Sequence, residues 1–104
     1  MEITMPFDER WEKAMLTGNK TCTSRSKRYG NLGDRFRAFG AAFTLIGVVR
    51  LPLGLIAMRF YKEEGCQSPE EFKKVWRELH PKKGFQDDWL VWLHKFDLDI
   101  PLRI

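Results

Sequence analysis

Cysteine is scarce in this chain, and the little there is does not cluster. Cys22 and Cys66 stand far apart, with no Cys-x-x-Cys pair and no histidine at metal-ligand spacing. That pattern excludes a disulfide framework and a zinc site, and leaves two reduced thiols of the kind a cytoplasmic protein carries. No structural metal and no cofactor are expected. The opening Met-Glu-Ile-Thr-Met-Pro also has no basic stretch followed by an apolar one, so no signal peptide is expected. Nor is there an uninterrupted apolar run long enough to cross a bilayer. The stretch 41–58 comes nearest, but it holds Arg50 and Pro52 at its middle, with Gly47 and Gly54 nearby. An arginine at a membrane centre costs roughly 2.5–3.5 kcal/mol on insertion scales. A buried strand broken at Pro52 and followed by another element is the better reading. Low-complexity segments are absent as well.

What is present is a dense aromatic set. Four Trp and eight Phe in 104 residues supply enough bulky apolar area for a compact core, and the length fits one domain spanning residues 1–104. The net charge of +4 is unevenly spread. Residues 18–37 hold six cations, Lys20, Arg25, Lys27, Arg28, Arg35 and Arg37, against Asp34 alone, a net +5 that leaves the rest of the chain at −1. A cationic cluster in one segment points to an anionic partner, nucleic acid being the commonest kind. The plainer alternative is a solvated basic loop without a partner.

Local signals divide the chain into short elements. Residues 2–5 read as a short strand stopped by Pro6. Over 7–16, Phe7, Trp11, Ala14 and Met15 recur at helical spacing, with Asp8 as N-cap and Gly18 as the stop. Residues 20–25 read as a strand, 26–33 as a polar basic loop, and 35–39 as an alternating strand. The segment 42–51 is an Ile- and Val-rich strand that Pro52 must end or bulge, because proline cannot donate to a ladder. Residues 55–63 fit a short helix, with a strand reaching Phe60 as the alternative. The clearest signal is Ser68-Pro69-Glu70-Glu71, a capping box opening a helix that runs to about Leu79 with Phe72, Val75, Trp76 and Leu79 on one face. His80-Pro81 ends it. Residues 89–96 alternate as a last strand, Leu90, Trp92, His94 and Phe96 on one side and Trp89, Val91, Leu93 and Lys95 on the other. Strands this closely spaced leave no room for crossover helices, so the expected class is α+β: a small, mostly antiparallel barrel flanked by helices.

Three of these pieces carry a resemblance. Gly18-Asn19-Lys20-Thr21-Cys22-Thr23-Ser24-Arg25, lying between a short helix and a Gly-Asp turn, resembles the Gly-x-Lys-Thr-x-Thr-x-Arg signature of ASCH domains. Glu63-Glu64-Gly65 leading into Ser68-Pro69-Glu70-Glu71-Phe72 resembles that family's Glu-Gly element and second main helix, and the aromatic last strand matches too. The likeness runs from about Phe7 to Phe96. It implies a PUA-like barrel that acts on RNA or its components. Small single-domain members are similar to bacterial amidohydrolases that remove the acetyl group from N4-acetylcytidine, using a Lys and a Thr of the first motif and a Glu of the Glu-Gly region. Carried across, these are Lys20, Thr23 and Glu64, with Glu63 the other candidate for the carboxylate.

The chemistry is sensible on its own terms. On a regular strand Thr21, Thr23 and Arg25 share a face, and Cys22 and Ser24 point the other way. A threonine hydroxyl is a poor nucleophile until a base takes its proton, and a lysine amine serves as that base where desolvation and a neighbouring cation such as Arg25 favour its neutral form. Glu64 then donates to the leaving amine, assistance that typically contributes about 10²–10⁴-fold. Other roles stay open: Lys20 and Arg25 as phosphate contacts, Thr21 and Thr23 as strand formers, His80 and His94 as terminal and packed side chains, and Trp89 or Trp92 as a stacking platform. Two functional readings follow, a nucleoside or RNA amidohydrolase using Lys20, Thr23 and Glu64, and a non-catalytic RNA-binding module using the basic segment 20–37. Ribonuclease activity is a third. No membrane partner is expected.

Overall fold

The computed structural model describes residues 1–99. A turn of 3-10 helix, Glu9–Trp11, leads into a short helix α1 (Glu12–Leu16). Then come β1 (Cys22–Arg25), β2 (Arg35–Ala38), β3 (Ala41–Pro52), α2 (Leu53–Arg59), α3 (Pro69–Leu79) and β4 (Leu90–Leu98). The four strands form one curled antiparallel sheet, an open half-barrel in the order β1-β4-β3-β2, with the helices against it.

Local chemistry explains the boundaries. Asp8 does cap the first helical turn, accepting from the Arg10 N–H at 2.9 Å, so the helix starts at Glu9 and Phe7 is left outside to stack on Phe36. Ser68 accepts from the Glu71 N–H at 3.1 Å, while the Glu71 carboxylate reaches back one residue further than a standard box, to the Gln67 N–H. Pro52 closes β3 and enters α2 directly. Phe39 does not continue β2: it has φ 54° and Gly40 φ 76°, the two positive values that a tight two-residue hairpin loop requires. Residues 2–5 are not a strand of the sheet. Glu2 makes an isolated parallel bridge with Arg35, and the Ile3 N–H donates to the Arg35 carbonyl at 2.7 Å.

Two hydrophobic clusters form, and alternate residues of β4 feed them. Val91 and Leu93 pack with Leu53, Ile56, Phe72 and Trp76 beneath α2 and α3. Phe96 joins Phe36, Phe43, Met5 and Met15 in the other cluster, where the three Phe rings lie 5.2–5.4 Å apart. Each aromatic pair of this kind contributes roughly 0.5–1.5 kcal/mol beyond its buried area. Among the described residues no helix is long and apolar enough to cross a membrane, and no group of three or more potential metal ligands converges.

Candidate active site

Strand β1 lies at an edge of the sheet, and a cavity of about 280 Å³ opens beside it. Backbone bonds bring the distant Glu-Gly element to this edge. The Thr21 and Cys22 N–H groups both donate to the Glu63 carbonyl, at 2.8 and 3.1 Å, which sets Glu64 beside the start of the strand. Gly65 then turns away with φ 91°, and a Cβ there would sit 3.0 Å from the Trp11 ring and 3.2 Å from Lys20 Cβ. Only glycine suits both the backbone and the space. On the other side Gly18, with φ 81°, ends α1, and the Lys20 N–H still donates to the Ala14 carbonyl, so Lys20 is not yet in the strand.

Lys20 and Glu64 form a buried ion pair, 3% and 5% exposed. Lys20 Nζ donates to Glu64 Oε1 at 3.3 Å and to the Glu64 carbonyl at 2.7 Å, and lies 4.5 Å from the centroid of the Trp11 ring. The other carboxylate oxygen accepts from Ser24 Oγ at 2.5 Å. Such charge-assisted bonds fix the carboxylate in place. Thr23 belongs to a neighbouring set: Arg25 Nε donates to its Oγ1 at 3.2 Å, and Arg25 Nη2 to the Pro6 carbonyl at 2.7 Å. The guanidinium is held between the rings of Phe7 and Tyr29, and burial lowers its pKa against an opposing hydrogen bond to Tyr29.

Lys20, Thr23, Arg25 and Glu64 therefore all line one cavity, with Ser24 among them. No direct hydrogen bond joins Lys20 to Thr23 among the described residues; each has its own partner. Glu63 offers its carbonyl to β1 and does not line the cavity. The apolar walls come from Phe7, Trp11, Tyr29, Phe72 and Trp76, and His80 closes over Trp76 with ring centroids 4.1 Å apart. Strand parity separates Ser24 from Thr23, but a cavity at the edge of a strand collects side chains from both faces. Ser24, Trp11 and Trp76 had no local signal that set them apart from core or strand formers.

The basic segment does not form one surface. Lys27 and Arg28 are exposed near β4, Lys27 over Tyr29 and Arg28 over Trp92, where Arg50 also lies. Arg35 and Arg37 are on β2, at the far edge, where they pair with Asp99 at 2.7 Å and Glu2 at 3.2 Å. His94 is fully buried: its Nε2 accepts the Tyr29 N–H at 3.1 Å, and burial lowers its pKa.

No protein-family model matches the sequence, and no curated protein matches it. Solved structures do. The ASCH domain of Lactobacillus crispatus is 14% identical and superposes with a TM-score of 0.65 over 93% of this chain and 77% of its own. A protein of Enterococcus faecalis assigned to DUF984 is 21% identical, with a TM-score of 0.63 over 86% of this chain and 67% of its own. The hypothetical protein PH0355 is 16% identical, with a TM-score of 0.74 over 95% of this chain and all of its own. The architecture that holds this cavity is thus an ASCH-like fold.

Proposed function

We propose that the protein is an amidohydrolase that removes the acetyl group from N4-acetylcytidine, with Lys20, Thr23 and Glu64 as its catalytic residues. The observation that supports this reading is the buried Lys20–Glu64 pair, which shares with Thr23 an aromatic-lined cavity of about 280 Å³. That volume is near the lower end for small-molecule sites, roughly 300 Å³ upward. A proton passing from Lys20 Nζ to Glu64 along their contact leaves an uncharged amine and an uncharged acid. The amine takes the Thr23 proton through a bridging water, since no direct hydrogen bond joins the two, as the hydroxyl oxygen attacks the acetyl carbon, and Glu64 protonates the departing exocyclic nitrogen. Water then attacks the acetyl-Thr23 ester, giving a proton to Glu64, and Lys20 returns its proton to Thr23. Arg25 orients the Thr23 oxygen through its Nε–H. The two buried free thiols support a reducing, cytoplasmic setting. Incubating the pure protein with N4-acetylcytidine should release cytidine and acetate, and Thr23→Ala should stop that release while the fold persists. Failure of the wild-type protein to cleave any acetylated nucleoside ends this reading.

A second reading has its own observation. Arg28 and Arg50 flank the Trp92 ring at 5.2 and 5.5 Å, a cationic and stacking surface that supports single-stranded RNA binding without catalysis. Removing Lys27 and Arg28 should then flatten the salt dependence of RNA binding by about 0.7 log units for each phosphate no longer neutralised. RNA affinity that neither salt nor these substitutions change would rule it out.

A further inference from the structure

Three contacts hold Glu64 in the cavity wall, and they are unequal. Lys20 Nζ donates to the Glu64 backbone carbonyl at 2.7 Å but to the carboxylate only at 3.3 Å, beyond the roughly 2.7–2.9 Å of a tight ammonium–carboxylate bond. The tight bond to the carboxylate comes from Ser24, whose hydroxyl donates to Oε2 at 2.5 Å. Ser24 is 8% exposed and Glu64 5%, so this bond is shielded from competing water. The backbone places its donor: Ser24 sits in β1 opposite Leu93 of β4 and has a short side chain to order, whereas the lysine chain is long and flexible.

The carboxylate also has a second cation within its influence. Arg25 lines the same cavity, and Glu64 is near enough for its charge to favour the charged guanidinium. An arginine–carboxylate pair with two parallel bonds is stronger than a single lysine contact. Such a pair would draw Glu64 away from Lys20 and Arg25 away from Thr23.

We infer that Ser24 is a positioning residue of the site: its hydroxyl anchors Oε2 and so keeps the Glu64 carboxylate on Lys20 and off Arg25. The inference rests on the amidohydrolase reading for the reaction it serves, and it adds what keeps the proton path in place. With Oε2 anchored, Oε1 stays within reach of Lys20 Nζ, and Arg25 stays free to orient Thr23. Ser24 acts through Glu64 and transfers no proton itself.

The test compares crystal structures and turnover of the wild-type protein, Ser24→Ala and Ser24→Thr. Ser24→Ala removes one oxygen atom and should leave the fold unchanged, but its Glu64 carboxylate should leave Lys20 and pair with Arg25. Ser24→Thr retains the hydroxyl and should hold the carboxylate where it is. With N4-acetylcytidine, Ser24→Ala should lower kcat about 10- to 100-fold, the worth of one hydrogen bond to a charged group, and leave KM near wild type. Ser24→Thr should recover most of that loss. A carboxylate that stays on Lys20 in Ser24→Ala overturns the inference, as does an unchanged kcat where the wild type cleaves. The two readings fail separately. Should the carboxylate move as expected while the wild-type protein cleaves no acetylated nucleoside, the role of Ser24 stands and the hydrolase falls. Equal cleavage by wild type and Ser24→Ala has the opposite meaning.

Discussion

At the scale of single residues, the Lys20–Glu64 pair has a consequence for stability as well as for chemistry. Both groups are removed from water, and each is the other's main compensation. Breaking a buried pair by removing one partner is strongly destabilising, about 3–5 kcal/mol, because a charge is left behind; replacing both with apolar side chains is often close to neutral. Glu64→Ala and Lys20→Met are each expected to cost in that range in urea unfolding, and the double substitution less than either alone. Both singles and the double should be inactive towards N4-acetylcytidine. A Glu64→Ala protein within about 1 kcal/mol of wild type would mean that the pair is open to water and is not the buried device described above. Gly65 makes a narrower case. With φ 91° and Trp11 and Lys20 against its missing side chain, Gly65→Ala is expected to strain the turn and push Lys20 out of reach of Glu64. Thermal unfolding should show a loss of stability. Retained stability together with full activity would contradict the tight approach of these three residues.

At the scale of elements, α3 is the piece whose origin is easiest to follow from sequence to site. Ser68 caps it, Pro69 starts it, and it delivers Val75, Trp76 and His80 to the cavity. Ser68→Ala is expected to cost about 1 kcal/mol, and Ser68→Gly only a few tenths, because glycine leaves the exposed N–H groups open to water. Equal losses from the two substitutions, measured by denaturant unfolding, would show that packing and not the cap holds this end. The capping box, the break at Pro52 and the alternation in β4 are strong local signals, and for that reason the sheet and its flanking helices were legible in the residues. Less legible were features that depend on neighbours remote in sequence. Phe39 alternates correctly with Arg37, but the hairpin needs it at positive φ. Glu63 and Glu64 are equivalent in composition, and the turn at Gly65 together with the bonds from Thr21 and Cys22 selects which carboxylate faces Lys20. Ser24 points away from Thr23 by strand parity, yet both reach a cavity that lies beyond the edge of β1. The charge of segment 20–37 is continuous along the chain, whereas β1 and β2 stand at opposite edges of the sheet and divide it.

For the molecule as a whole, the sheet order leaves β1 as an edge, beside which the candidate site's cavity opens, and the fold buries titratable groups whose pKa values it shifts in opposite directions. His94 is buried with its Nε2 accepting from the Tyr29 N–H, and burial depresses its pKa from the ordinary 6.5, with Arg25 and Arg28 acting in the same direction. The unfolded chain therefore binds a proton that the folded chain resists. Stability is complete above about pH 6.5 and is lost as the pH falls towards the folded value. The thiols act with the opposite sign. Burial raises the Cys66 pKa from 9.0 to about 11, helped by Glu64, and raises Cys22 further still. Here the folded chain holds a proton that the unfolded chain gives up. That stability is complete below about pH 9 and declines as the pH rises through the folded value. Unfolding temperature plotted against pH should thus show a plateau between about 6.5 and 9 with a fall on each side. The acid limb should begin well above the carboxylate range, where Asp99, held low by Thr44 and Arg35, adds a second decline. His94→Gln keeps an acceptor for the Tyr29 N–H but cannot titrate, and should flatten the acid limb just below about pH 6.5 without moving the alkaline one. Cys66→Ala should do the reverse. The slopes, not the absolute stabilities, carry the test, since both substitutions disturb packing. If the acid limb keeps its slope in His94→Gln, the proton uptake belongs to another group and the neutral, loop-holding His94 is wrong.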